Sequence, residues 1–284
     1  MGSHPHALPA GTEIAGFRIA RVLGVGGFGI TYEAVDNVTR RRFAIKEFFP
    51  RGLASRQDST LLVYASNHAA LAALALEKFE RSSAQMGALR HPNIVEVLHY
   101  VKQNGTGYMI MEYIEGVTLD VWLEKRGAPP GPAELRGVLE PILDALAYVH
   151  GQGLIHRDIA PDNIMIDRDG RPVLIDFGAV KVIEQHNRAA RSFLVAKRNY
   201  SPPEQTQEGV ELDRTADVYS LGAVLYVLLT GFLPFELRIG GSSGSTNFCD
   251  GCVKTIRHGR ARKSEWRRDP PRRPLRHEDL SQDT

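Results

Sequence analysis

The chain has 284 residues, room for one large domain or two of ordinary size, and 43% hydrophobic, 24% charged and 8% aromatic residues exclude a collagen-like, coiled-coil or wholly disordered protein. With 35 Lys and Arg against 33 Asp and Glu the net charge is +2, so the total points to no nucleic-acid partner. The balance is uneven: residues 238–284 hold 11 basic and 6 acidic side chains, leaving residues 1–237 at −3.

Residues 1–12 are expected to form a flexible N-terminal segment. Residues 17–23, 30–35 and 41–49 are short apolar runs around a glycine-rich turn and predict a small antiparallel sheet. From Ser66 the spacing of Leu71, Leu74 and Phe79 is helical, with Ser66 or Asn67 as a cap and His91-Pro92 as a stop. Residues 94–101 and 108–113 read as two further strands separated by a turn at Gly105 and Gly107. Helical segments then dominate, at 119–125, 133–150 and 215–230, interrupted by strand-like pieces at 164–166 and 173–175. The expected fold is α+β: a small sheet lobe over 13–115, a helical larger lobe over 116–237, and a basic end over 238–284.

Residues 218–235 run for 18 positions without a charge, the borderline length for a membrane span. Two Gly, a Ser, a Thr, two Tyr and a Pro interrupt the run, and Asp213, Arg214 and Asp217 crowd its start, so a buried core helix is expected and no membrane span. Cys249 and Cys252 cannot build a disulfide framework, and no basic start followed by an apolar stretch marks a signal peptide; the expected setting is cytoplasmic.

Four strings carry chemistry. Gly24-Val25-Gly26-Gly27-Phe28-Gly29 is a G-x-G-x-x-G, and the strand-like Ile30 to Val35 after it favours a strand-turn-strand cover over phosphates rather than a dinucleotide fingerprint, which a helix should follow. Glycine there lets backbone N–H groups come close to phosphate oxygens. Lys46 ends the apolar strand pattern Phe43-Ala44-Ile45-Lys46. His156-Arg157-Asp158-Ile159-Ala160-Pro161-Asp162-Asn163 matches H-R-D-x-x-x-x-N, and Asp176-Phe177-Gly178 follows 13 residues after Asn163.

In this order the strings resemble the protein-kinase family, specifically the eukaryotic-like Ser/Thr kinases of bacteria. Similar wording continues in His91-Pro92-Asn93, Ser201-Pro202-Pro203-Glu204-Gln205 and Asp217-Val218-Tyr219-Ser220-Leu221-Gly222, so the resemblance covers about residues 13–236. It implies an ATP- and Mg²⁺-dependent kinase acting on a protein substrate. Gly24, Gly26, Gly27, Phe28 and Gly29 would cover the nucleotide, Lys46 would hold its α- and β-phosphates, and Asp158 would accept the proton of the attacking hydroxyl. Asn163 and Asp176 would hold Mg²⁺, Met111 would be the gatekeeper, and Glu112 to Ile114 the hinge that receives adenine.

Departures from the family pattern bear on activity. The helix glutamate that pairs with the lysine usually lies nine residues before H-P-N, where this chain has Ser82; Glu80 and Glu77 are the nearest carboxylates, and Glu80 is about 200° around the helix. Ala160 replaces the usual lysine, a trait of the bacterial subgroup that on charge grounds implies a slower phosphoryl step. Residues 238–284 contain seven large apolar residues, too few for the remaining helices of a large lobe, and read as a divergent or truncated end. Asp269-Pro270-Pro271-Arg272-Arg273-Pro274 is either a compressed kinase terminus with Arg273 reaching Glu204 or a chance match. Cys249, Cys252 and His258 lack the second cysteine pair of a structural zinc site, and the Arg-rich run over 257–276 lacks the aromatic interleaving of a nucleic-acid surface.

Between Asp176 and Glu204, Ser192 is the only hydroxyl before Tyr200 and is the expected regulatory phosphosite; the resemblance implies that its phosphate would be held by Arg157, the arginine before the catalytic Asp. The alternative to an active, self-phosphorylating enzyme is a pseudokinase that binds nucleotide or acts as a scaffold. A small-molecule kinase is disfavoured by Pro202-Pro203-Glu204, which resembles the peptide-substrate segment of protein kinases.

Overall fold

Six strands, all antiparallel to their neighbours, build the first half of the chain: β1 (Glu13–Ile14), β2 (Phe17–Val25), β3 (Gly29–Asp36), β4 (Arg42–Phe48), β7 (Val97–Gln103) and β8 (Thr106–Glu112). Their order in the sheet is β1-β2-β3-β4-β8-β7. The computed structural model describes residues 5–65, 68–176, 199–206, 210 and 212–234. The chain divides into two units, Met1–Gly240 and Gly241–Thr284, and the second lies wholly outside the described residues.

Alternation along β4 gives each face of the sheet its own core. Ala44 and Phe48 face one side, together with Met109 and Met111 of β8; Phe43, Ile45 and the following Phe49 face the other. On the first side lies α1 (Ala69–Gly87), which buries Ala72, Ala75, Phe79, Ser82, Ser83 and Met86 at helical spacing. Leu74 falls on the exposed face of α1, and Ser66 and Asn67, the expected cap, lie outside the described residues.

The other face of the sheet is covered by something the sequence reading did not anticipate, a hairpin of β5 (Ala54–Gln57) and β6 (Leu61–Tyr64) inserted between β4 and α1. It reverses at Asp58 and Ser59, both at positive φ, buries Leu62 against Ile45, Tyr108 and Ile110, and is fastened by the Leu62 N–H to the Asn104 carbonyl at 2.8 Å. The N-terminal segment, expected to be loose, shares this layer: Leu8 is buried in it, and the Leu8 N–H donates to Tyr32 Oη at 3.0 Å.

At the centre of that layer Glu47 has no exposed surface. Its carboxylate accepts from Tyr32 Oη at 2.7 Å, Tyr108 Oη at 3.0 Å and Arg56 Nη2 at 2.7 Å, and Arg56 also donates to the carbonyls of His6 and Thr60. Burial first and the Glu47 charge second push both tyrosine hydroxyls up, which keeps them protonated as donors.

The second half is assembled from short elements around two longer helices. Strand β9 (Gly116–Thr118) leads into α2 (Leu119–Arg126), which ends on Gly127 at φ +67°, the left-handed conformation that glycine adopts without steric cost. Helix α3 (Pro132–Gly151) starts at Gly131, whose N–H donates to the Glu134 carboxylate at 3.0 Å. Strands β10 (Ile164–Asp167) and β11 (Pro172–Leu174) form a three-stranded sheet with β9, and α4 (Thr215–Thr230) closes the described part.

The core on the α1 side of the sheet continues from Phe48, Phe79 and Met111 through Val138, Ile142 and Leu146 of α3 to Ile164, Leu174 and Leu221, so both halves contribute to it. Helix α4, expected as a buried core helix, buries Leu221, Val224 and Leu228 on one face, while Val218, Tyr226 and Leu229 stay exposed. Among the described residues no helix is long and apolar enough to cross a membrane.

Candidate active site

The alternation that puts Ala44 and Phe48 under α1 also delivers Lys46 to that side. Its side chain is 19% exposed, and its Nζ is ion-paired with Asp176 Oδ1. The glycine turn sits above it. At Gly29 an added Cβ would lie 2.7 Å from the Glu47 carbonyl and 3.4 Å from Lys46 Cε, so this close approach requires glycine. A Cβ at Gly24 would meet nothing within 4 Å and one at Gly26 only the Gly29 carbonyl at 3.7 Å, so packing within the protein does not demand glycine there. The turn is held by its backbone: the Gly26 N–H donates to Gly29, the Phe49 N–H to Phe28 and the Arg51 N–H to Gly27.

At the end of β8, Met111 is nearly buried opposite Ala44 and Val97. The Glu112 N–H donates to the Glu96 carbonyl and its carboxylate accepts the Glu96 N–H, both at 2.9 Å. Ile114 turns into the shared core.

The stretch around Asp158 is irregular backbone whose shape depends on a fully buried carboxylate. Asp217 on α4 accepts the N–H groups of His156 and Arg157, each at 2.8 Å, and faces His150 Nε2 at 2.8 Å. Arg157 is thereby kept at φ +65°, an uncommon conformation for a residue with a Cβ. Asn163, at the end of the 3₁₀ turn Pro161–Asn163, donates from Nδ2 to the Asp158 carbonyl at 2.8 Å, and its own carbonyl accepts the Ile175 N–H at 2.9 Å. Asp176 follows at φ +60°.

Asn93 braces β11, the strand that leads to Asp176. Its Nδ2 donates to the Pro172 carbonyl at 2.7 Å and its carbonyl accepts the Leu174 N–H at 2.8 Å. Lys46 and Asp176 therefore touch directly, while Asp158 and Asn163 are joined by a hydrogen bond, and Asn163 in turn accepts from Ile175, the residue before Asp176. Ala160 is buried, so the position that usually carries lysine faces packing rather than solvent. Phe177, Gly178, Ser192, Cys249, Cys252 and Arg273 lie outside the described residues.

Ser82 is buried in the face of α1 and offers no charge. Glu80 is turned away, ion-paired with Lys102 Nζ at 2.6 Å on the partly exposed surface of β7, as the angular separation on the helix requires. Glu80→Gln is therefore expected to leave nucleotide affinity within about twofold of the parent, since an exposed ion pair contributes only ~0.2–1 kcal/mol and this one does not reach Lys46. Titration with a fluorescent nucleotide analogue checks this, and a tenfold loss would mean that Glu80 acts on Lys46.

Sequence reasoning did not foresee the roles of Asp217, His150 and Asn93. Asp217 and Asn93 stood within the family wording but act on backbone groups far away in the chain, a pairing that no local spacing encodes.

The protein kinase domain model matches residues 17–274, a span that takes in the Asp269–Pro274 string. The chain belongs to the protein kinase family. It is 33% identical over 227 residues to the serine/threonine-protein kinase PrkC of Bacillus subtilis, covering 80% of this chain and 32% of that protein. It is 34% identical over 238 residues to the serine/threonine-protein kinase PknA of a Nostoc species, covering 80% and 39%. The chain thus spans about a third of the length of these curated relatives. Among solved structures, the apo form of PpkA-294 superposes with a TM-score of 0.72 at 33% identity, covering 81% of this chain and 80% of that one. The kinase domain of PknI from Mycobacterium tuberculosis gives 0.61 at 24% identity, covering 85% and 83%, a likeness of fold.

Proposed function

We propose that the chain is the phosphotransferase part of an ATP- and Mg²⁺-dependent protein serine/threonine kinase that moves the γ-phosphoryl group to a protein hydroxyl, its own included. The observation that carries this reading is the double fixing of the site: Asp217 holds the loop of Asp158, and Asn163 ties that loop to Ile175, the neighbour of Asp176, which Lys46 meets.

In this reading Lys46 binds the α- and β-phosphates under the cover of Gly24, Gly26, Gly27, Phe28 and Gly29. Met111, Glu112 and Ile114 border the adenine, and Asp158 orients the attacking hydroxyl and takes its proton. The donors suit Mg²⁺: the Asn163 amide gives its nitrogen to Asp158 and so presents its oxygen, Asp176 adds a carboxylate, and no cluster of three acidic, His or Cys ligands occurs among the described residues. That ion favours one or two carboxylates with phosphate and water over a protein cage, and when bound it neutralises charge on the transferred group. The 13–115 and 116–237 lobes, the cytoplasmic setting and Ser192 as phosphosite belong to the same proposal. Mass spectrometry after incubation with Mg²⁺-ATP should find phosphate on Ser192.

The test is transfer of label from γ-labelled ATP to a basic acceptor protein, with phosphoserine or phosphothreonine recovered. No label above an Asp158→Asn background overturns the reading. The pseudokinase is the second reading, favoured by Ser82 and by the turning of Glu80 toward Lys102. A nucleotide-dependent rise in melting temperature without transfer would support it.

A further inference from the structure

Arg157, immediately before Asp158, sits in the left-handed region at φ +65°. That conformation is strained for a residue with a Cβ and persists only where the surroundings over-determine it. The Arg157 N–H is taken by Asp217 Oδ1 at 2.8 Å. Its carbonyl is taken by another side chain from a different part of the chain, Gln205 Nε2, at 2.9 Å. The acceptor is a carbonyl, so the amide nitrogen and not the oxygen of Gln205 must face it.

The carbonyl of Arg157 and the N–H of Asp158 belong to one rigid peptide plane. Gln205 holds one end of that plane; the other is held by His156 Nδ1, which receives the Asp158 N–H at 3.3 Å, a longer and weaker contact. The orientation of this plane sets the direction in which the Asp158 side chain leaves the backbone. Gln205 is itself fixed, because it lies in the 3₁₀ turn Pro203–Thr206 and its N–H donates to the Pro202 carbonyl at 3.1 Å.

We propose that Gln205 is a positioning residue for Asp158: by gripping the Arg157 carbonyl it fixes the peptide plane from which the Asp158 carboxylate is aimed, and so couples the Pro203–Thr206 turn to the proton-accepting group. The proposal rests on the kinase reading above, and it gives the glutamine of the Pro-Pro-Glu-Gln string a role distinct from holding the acceptor.

Two variants of nearly unchanged shape test it in the full chain. Gln205→Met keeps length without a donor, and Gln205→Glu sets a carboxylate against a carbonyl. Loss of one neutral hydrogen bond should lower kcat about threefold to tenfold in the Met variant and further in the Glu variant, with KM for ATP and for the acceptor within about twofold of the parent. As pH falls toward the carboxyl's own range, the Glu variant should recover relative to the Met variant, because its protonated carboxyl is again a donor. Hydrogen exchange of peptides spanning residues 154–160 should quicken in the Met variant while peptides from α3 stay unchanged.

Unchanged kcat in both variants, or a raised acceptor KM at unchanged kcat, overturns the proposal. If the parent itself transfers no phosphate, the kinase reading falls on that result alone. The exchange measurement then decides the Gln205 proposal, and unchanged protection over 156–158 refutes it.

Discussion

Asp158→Asn is expected to slow phosphoryl transfer by about 10²- to 10⁴-fold while leaving nucleotide affinity within about twofold of the parent. The substitution keeps the shape of the side chain and removes its ability to take a proton. The loop should survive it, because Asn163 grips the backbone carbonyl of Asp158 and not its carboxylate, and because His156 and Arg157 are held by Asp217. Asp176→Ala should fail by a different route: it deletes a ligand suited to Mg²⁺ and the carboxylate paired with Lys46, so the affinity for Mg²⁺-ATP should drop together with the rate. Single-turnover transfer alongside nucleotide titration separates the two. Equal loss of nucleotide binding in both variants would show that Asp158 shapes the pocket rather than the proton transfer.

Arg56→Met should destabilise the protein by about 3–5 kcal/mol, because it leaves the buried Glu47 carboxylate without its cation. Two tyrosine hydroxyls still donate to Glu47, but they carry no charge to offset its desolvation. At roughly 2–4 °C per kcal/mol for a protein of this size the melting temperature should fall by ~10 °C. Adding Glu47→Gln to Arg56→Met should recover more than half of the loss, since a neutral amide can still bond both tyrosines and no longer needs a cation. Thermal and urea unfolding of the parent, single and double variants gives the comparison. A single variant within 1 kcal/mol of the parent would mean that Glu47 is solvated.

The sheet strands β2 to β4 and helices α3 and α4 could be read from the chain because each repeats a two- or 3.6-residue pattern over seven or more positions. The β5–β6 hairpin could not be read with the same ease. Its strands are four residues long, and one of them, Ala54–Gln57, is polar because Ser55 and Gln57 face solvent while Arg56 turns inward to the buried Glu47. The available signal was the polar Asp58-Ser59-Thr60 cluster before Leu61-Leu62-Val63-Tyr64, a turn followed by an apolar run. At the site, Lys46, Asp158, Asn163 and Asp176 were legible as strings. What holds them was not: Asp217 is 59 residues from Asp158 and acts on its loop through backbone N–H groups, which are the same for every sequence. The effect of Ser82 was legible in part, since the helical angle already turned Glu80 aside; that Lys102 receives it required the packing of α1 on β7.

The Leu8 side chain and the His6 carbonyl make residues 6–8 a working part of the small sheet rather than an appendage. A shortened version beginning at residue 9 would open a hydrophobic hole beside Tyr32 and remove one of the acceptors of Arg56. The damage would fall on the far face of the strand that carries Lys46. The practical boundary for expressing this domain therefore lies ahead of His6, and an affinity tag belongs before it.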